Sequence, residues 1–398
     1  MDKKKLLVLT PRLPYPMIGG DRRRIFTICQ ALSKEFDITL LSLCENKAEL
    51  TMPLPDDGVF RYIERVYLPK WKSFANSLAA LPTSRALQVA YYKCREFQVA
   101  LERLAPRHDL ILAHLIRTGA YVESLEMPKL LEMTDAISLN YQRLSELKGR
   151  KFSVKNLVYR IERQRILREE LRLAAKFNHS FVVSDVDRRY LVDQMPELDS
   201  QICVAPLGID VQSLDILSFE DIREGKHIAF VGNMGTTQNF DAADWFASRV
   251  MPRLLATNPS LKFKIIGVIG EKARAHLESY PGVHVVGRVD CIREALKGCF
   301  AAVCPMRFGA GVQTKVLEYM AYGVPVVSTQ MGNEGIDAPE RVAIIADSPE
   351  ALARSLIELH ASPSLRQDMV ASARKFVQER YDGANVSLSI VDKALSII

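Results

Sequence analysis

No uninterrupted run of about 18 apolar residues occurs in the chain, which argues against a membrane-spanning helix. The apolar stretch in MDKKKLLVLTPRLPYP spans only Leu6 to Leu9. That is too short for the core of a signal peptide and reads as a buried strand, so a cytoplasmic protein is expected. Paired cysteines are also missing. The seven (Cys29, Cys44, Cys94, Cys203, Cys291, Cys299, Cys304) are scattered, and none forms a CxxC pair. They read as core thiols in a reducing compartment. No two of the seven histidines have ligand spacing, so no metal is expected. Internal repeats and low-complexity tracts are absent, and no recognition motif suggests nucleic-acid binding.

What is present is an ordinary globular composition, 48% hydrophobic and 25% charged, over 398 residues. That length is about twice a typical domain, so two domains are the default. The net charge of +6 is uneven: residues 1–210 hold 33 Lys/Arg against 26 Asp/Glu, and the remainder 20 against 21. An excess confined to one half often marks an anionic partner, although single charge runs are more often solvated surface.

Both halves alternate short apolar strands with helices. KKLLVLT, DITLLSLC, HDLILAHL, KLLEMT, NHSFVVSD and ICVAPLGID read as strands of the first half. HIAFVGNM restarts the rhythm, followed by a helix over DAADWFASRVMPRLLAT and by LKFKIIGV, VHVVGRV, FAAVCPM, VPVVSTQM and RVAIIAD. Such runs imply parallel sheets covered on both faces. The expected fold is α/β, with two Rossmann-like doubly wound domains facing a cleft. The expected limits are 1–210 and 211–380, with a last helix from 381 to 398 crossing back. The polar stretch VQSLDILSFEDIREGK reads as the linker.

Ligands of open α/β sheets bind beyond the carboxyl ends of the strands, so the loops there are the candidates. The strongest lies in PMRFGAGVQTKVLEYMAYGVPVVSTQMGNEG. A strand ends at Met306, Gly309-Ala310-Gly311 forms a small loop, and a helix then carries Lys315 and Glu318. Glycines at a helix start let backbone N–H groups approach an anion, whose charge the positive helix end favours. Lys315 is placed to reach a diphosphate, and Glu318 shares its face and could accept from a ribose diol. The plain alternative is a loop with a solvated Lys/Glu pair.

That stretch resembles the donor-binding signature of the GT-B glycosyltransferases, specifically the retaining family 4 (group 1). Glu318 with MAYGVPVV matches the second half of the usual pattern, while Ala310 stands where the first glutamate is usual. The loop is similar to the subgroup reading GAG with a lysine three residues before the glutamate. PRLPYPMIGGDRRR resembles the family's glycine-rich loop, which implies Gly19 and Gly20 under the donor phosphates; a Pro/Gly turn is the alternative. With the GAG loop, this opening resembles bacterial exopolysaccharide-associated sugar transferases. APLGID matches the domain junction, with Leu207 for the usual Asn. FVGNMGTTQNFDAADWF resembles the start of the donor domain, with Asn233 and Asn239 where relatives carry Arg and Lys. Lys315, with Arg307 as a second cation, is then left to neutralise the diphosphate; a strand-end arginine is otherwise a surface ion-pair partner. GRVDCIREALKGC resembles the segment over the base, where Val289 and Asp290 mark position. GNEGID implies Asn333, Glu334 and Gly335 near the transferred sugar, or a plain turn. The family often has a His and an Asp where His114 and Asp135 end two strands, so both are active-site candidates; Asp135 could instead cap the next helix.

The resemblance implies an enzyme moving a sugar from a UDP- or GDP-linked donor to a glycan or lipid-linked acceptor, with retention, without metal or other cofactor, in cell-envelope glycan synthesis. The other readings are a nucleotide-sugar epimerase on the same fold and a nucleotide-sugar-binding protein without turnover. The basic segment from Tyr141 to Lys176, with KGRK at 148–151 and Arg160, Arg163, Arg165, Arg168 and Arg172, fits a peripheral contact with an anionic membrane. A long helix with solvated arginines and glutamates is the preferred account of it.

Overall fold

The computed structural model describes residues 3–17, 20–146, 154–211, 214–309 and 311–398. Gly19, Ala310 and the KGRK stretch lie outside the described residues. The chain divides into two domains, one made of 1–208 with 383–398, the other of 209–382.

The first domain holds a sheet of β1 (Lys4–Thr10), β2 (Phe36–Cys44), β3 (Tyr62–Tyr67), β4 (Leu110–His114), β5 (Lys129–Thr134), β6 (His179–Val182) and β7 (Ile202–Val204). Their order is β3-β2-β1-β4-β5-β6-β7, and the pairings are parallel. Alternate residues of β1 serve opposite cores. Leu7 and Leu9 join Ile111, Ala113 and Leu131 on one face, and Leu6 and Val8 join Leu110, Leu112 and Leu130 on the other. Apolar residues on both sides of a strand are what continuous runs such as KLLVLT require. The helix Gly383–Ser396 packs on the helix Gly20–Leu32 and adds Ile390, Val391 and Ala394 to the second of these cores.

The second domain is built on β8 (His227–Val231), β9 (Lys262–Ile266), β10 (Val283–Gly287), β11 (Cys299–Cys304), β12 (Val326–Ser328) and β13 (Ile344–Ile345). The order is β10-β9-β8-β11-β12-β13, also with parallel pairings. The helix read over 241–257 is interrupted by a wide turn at Phe246–Val250, just before Pro252, which has no N–H to continue the ladder. The stretch read as a linker instead packs into this domain. Leu217 and Ile222 are buried, Leu217 N–H donates to the Tyr322 carbonyl (3.1 Å), and Arg374 donates to the Leu217 carbonyl (2.7 Å). The loops leaving β8 and β9 meet closely at Gly267. Its φ is +131°, and a Cβ there would lie 2.0 Å from the Gly232 carbonyl oxygen.

Candidate functional site

In each sheet the strand order reverses once, between β1 and β4 and between β8 and β11. Helices that leave such neighbours on opposite faces open a crevice beyond their carboxyl ends. Most candidate residues follow these four strands, while Asp135 follows β5 and Asn333, Glu334 and Gly335 follow β12.

In the second domain, the loop after β11 carries Gly309 (φ +156°) and Gly311 (φ +71°), and the helix Thr314–Tyr322 follows. Lys315 sits in its first turn. The ammonium donates to Asn239 Oδ1 at 2.5 Å and lies 4.8 Å from the centre of the Phe230 ring. Burial lowers its pKa, and the nearby Cys304 and Glu318 act in the opposite direction. A cation desolvated in this way is favoured by an incoming anion. Asn239 is itself fixed, because its amide donates to the Asn233 carbonyl (3.1 Å). That carbonyl also receives the Thr236 N–H and hydroxyl, at 3.1 and 3.0 Å. Glu318 is half-buried one turn along the helix from Lys315. The hydroxyl of Tyr319, on the inner side of the same helix, accepts the Val231 N–H at 2.6 Å and so ties the helix to the end of β8.

Three other candidates have different employment. Arg307 makes a two-pronged pair with Asp241 (2.9 and 2.5 Å) and lies over Trp245, as an ion-pair partner would. Asn333 is buried, and its amide bridges both backbone groups of Ala338, so it closes its own turn. Asn233 turns its side-chain oxygen to the Gly235 N–H (2.9 Å). Glu334 is half-buried, and Gly335 (φ +78°) ends this loop.

In the first domain, Gly20 opens the helix Gly20–Leu32 in open space, with nothing within 4 Å of where a Cβ would lie. Four residues on, Arg24 points inward. It donates to Glu132 (2.6 Å) and to the carbonyls of Ala205 and Pro206 (2.8 and 2.9 Å). Glu132 also faces His114 Nδ1 at 2.7 Å and accepts the Thr134 N–H at 3.0 Å. Burial alone would raise this carboxyl, but Arg24 and His114 outweigh it and hold it down at about 2. An ionised acceptor at Nδ1 keeps a proton there, so a neutral His114 ring carries its lone pair on Nε2. Leu115 (φ +67°) and Thr134 (φ +65°) turn the backbone sharply at the ends of β4 and β5.

Asp135 follows Thr134, half-buried, with its pKa raised by burial and then by the charge of Asp187. The next helix, Ile137–Glu146, is capped from distant elements instead. Asp187 accepts the Ala136 N–H (3.0 Å), and Glu170 accepts the Ser138 N–H (3.3 Å) and hydroxyl. Glu170 is fully buried and pushed up to about 8 by burial. It belongs to the helix Val154–Ala174, whose glutamates were read as solvated. Glu162, Glu169 and Glu170 are in fact buried. Arg24, Glu132, Glu170 and Asp187 escaped the sequence reading. The one local signal was a charge inside an apolar strand, the Glu of KLLEMT. Among the described residues no group of three or more His, Cys, Asp or Glu is arranged to hold a metal ion.

Residues 225–362, the body of the second domain, match the family model of glycosyl transferases group 1. The chain carries a glycosyltransferase domain on a GT-B fold. Over its whole length this transferase is similar in fold to sucrose-phosphate synthase from Thermosynechococcus elongatus (TM-score 0.72, 16% identity, 98% of each chain). It is also similar to Anabaena HepE, solved with UDP and glucose (TM-score 0.68, 13% identity, 98% of this chain and 100% of that one). In sequence it is 24% identical to an uncharacterized 44.6 kDa protein in the cps region of Klebsiella pneumoniae, over 97% of this chain and 98% of that protein. Among the described residues, no helix of the transferase is long and apolar enough to cross a membrane.

Proposed function

We propose that this transferase is a retaining enzyme of family 4 that moves a sugar from a UDP- or GDP-linked donor to a hydroxyl of a glycan or lipid-linked acceptor. The observation that carries the reading is Lys315, desolvated beside Asn239 in the first turn of a helix that follows a glycine loop. As the sugar C1–O bond breaks, charge grows on the diphosphate. Lys315, the amides around Gly309 and Gly311, and the N-terminal end of the Thr314–Tyr322 helix meet that charge. Glu318 takes the ribose hydroxyls. The leaving phosphate oxygen removes the acceptor proton as the acceptor oxygen bonds C1 on the same face. His114 and Asp135 bind sugar or acceptor hydroxyls. Arg307 and Asn333 have no part in the scheme, since their polar groups are committed within their own domain.

The UDP and glucose bound by HepE support the donor class, and the cps-region relative supports polysaccharide assembly as the setting. The test is incubation with a panel of UDP- and GDP-sugars and saccharide or polyprenyl-phosphate acceptors, with products read by NMR and EDTA in a parallel arm. A new glycoside with the donor's anomeric configuration, unaffected by EDTA, is expected. An inverted product refutes retention, an altered free nucleotide sugar indicates an epimerase, and binding without turnover indicates a binding protein.

A further inference from the structure

One helix of the first domain is built inside out. In the helix Lys70–Ala80, the solvent side carries Trp71, Phe74 and Leu78, and Leu81 continues it just beyond the end. These residues are 72%, 65%, 68% and 50% exposed. Their spacing of three, four and three places them on one stripe, and the alanines at 75 and 79 beside them are exposed as well. The inward side is polar. Ser73 is buried, Asn76 donates to the Lys93 carbonyl (2.8 Å), Ser77 donates to the Leu87 carbonyl (3.4 Å), and Lys72 pairs with Glu96 (3.0 Å). A helix on the surface of a water-soluble domain has the reverse arrangement, and contiguous apolar surface of this kind marks an interaction face.

The charges around the stripe say what covers it. From Arg65 to Arg95 the chain has six cations, Arg65, Lys70, Lys72, Arg85, Lys93 and Arg95, and no carboxylate; Glu64 and Glu96 flank the stretch, and Glu96 pairs with Lys72. Lys70 and Lys93 are exposed. At the far end, Arg165 donates to the Leu81 carbonyl (2.8 Å), which joins the stripe to the arginine-bearing helix Val154–Ala174, where Arg160, Ile161 and Arg168 are exposed. A second copy seated face to face would set these cations against themselves.

We infer that this face docks the first domain on an anionic lipid bilayer. Trp71, Phe74, Leu78 and Leu81 enter the boundary between headgroups and acyl chains, and the surrounding lysines and arginines meet the lipid phosphates. The inference stands apart from the donor site and holds whichever nucleotide sugar is used.

The test is flotation of the full chain with vesicles of phosphatidylcholine alone and of phosphatidylcholine with phosphatidylglycerol. Strong binding is expected only to the second, weakening as salt is raised. Each of Phe74→Ser and Leu78→Ser should lower the partition coefficient by about tenfold. Lys70→Glu with Lys93→Glu should abolish the preference for the anionic vesicles, while circular dichroism and melting show the variants folded. In Trp245→Phe, where Trp71 is the lone indole, emission should shift to the blue on adding anionic vesicles. Equal binding to both vesicles, binding to neither, or a concentration-dependent dimer dispersed by the same serine substitutions would overturn the inference.

Discussion

Replacing Lys315 by Met tests the donor site through two readings that should diverge. The ammonium is held by Asn239 and partly stripped of water, so burial costs the resting protein something to keep it charged. Methionine has similar length and no charge, and Asn239 keeps its bond to the Asn233 carbonyl. The melting temperature of Lys315→Met should therefore equal or exceed that of the parent. Diphosphate binding should fall sharply. One unit charge about 4 Å from a phosphate oxygen is worth about 4 kcal/mol at an effective dielectric constant of about 20. Partial solvation of this half-buried group reduces that to roughly 2–3 kcal/mol. The expected loss is about 30- to 150-fold in Kd for UDP or GDP. Isothermal titration measures it, with uridine and guanosine as controls that lack the diphosphate and should change little. A folded Lys315→Met that binds the diphosphates within about threefold of the parent would refute the placement of the phosphates.

Two further substitutions test the framework around the candidate residues. Glu170 has a native pKa of about 8 against about 4.3 in an unfolded chain, so the native state holds the extra proton. Its contribution is fully present below about pH 4 and is lost as pH rises through 8, on the order of a few kcal/mol. Denaturant melts of Glu170→Gln between pH 5 and 9 should show a flatter profile than the parent and a gain at the alkaline end; an unchanged slope would contradict the assignment. Gly267→Ala sets a methyl group 2.0 Å from the Gly232 carbonyl oxygen at a φ of +131°. A loss of about 3 kcal/mol or more is expected, seen as a melting transition about 6–12 °C lower, and a transition within a degree or two of the parent would show that the two loops can part freely.

The sheets were legible because parallel strands buried on both faces must be apolar throughout, and β1, β4, β8 and β11 are written that way. β3, YIERVY, escaped because it is an edge strand, only partly buried, whose Glu64 and Arg65 interrupt the apolar run. The strand-end positions of His114 and Asp135 could be found for the same reason as the strands. Their partners could not. Arg24 reaches Glu132 across 108 residues of sequence, and although a glutamate inside KLLEMT is conspicuous, nothing local says which cation meets it. Periodicity has a similar blind spot: it shows that Trp71, Phe74 and Leu78 share a stripe but not that the stripe faces outward. Arg307 was legible as a cation at a strand end, but Asp241, which occupies it, lies 66 residues away.

The return of residues 383–396 to the first domain has a consequence for how the chain is made. Residues 209–382 are synthesised, and can fold, before that helix leaves the ribosome. At about 5–20 residues per second this interval lasts roughly 10–35 s. Throughout it, the face of the first sheet that will receive Ile390, Val391 and Ala394 stands uncovered beside Ile25 and Leu32. The earlier-made half of the protein is thus the later one to finish, and the nascent chain carries a sticky surface that a chaperone or a neighbouring ribosome's product can reach first.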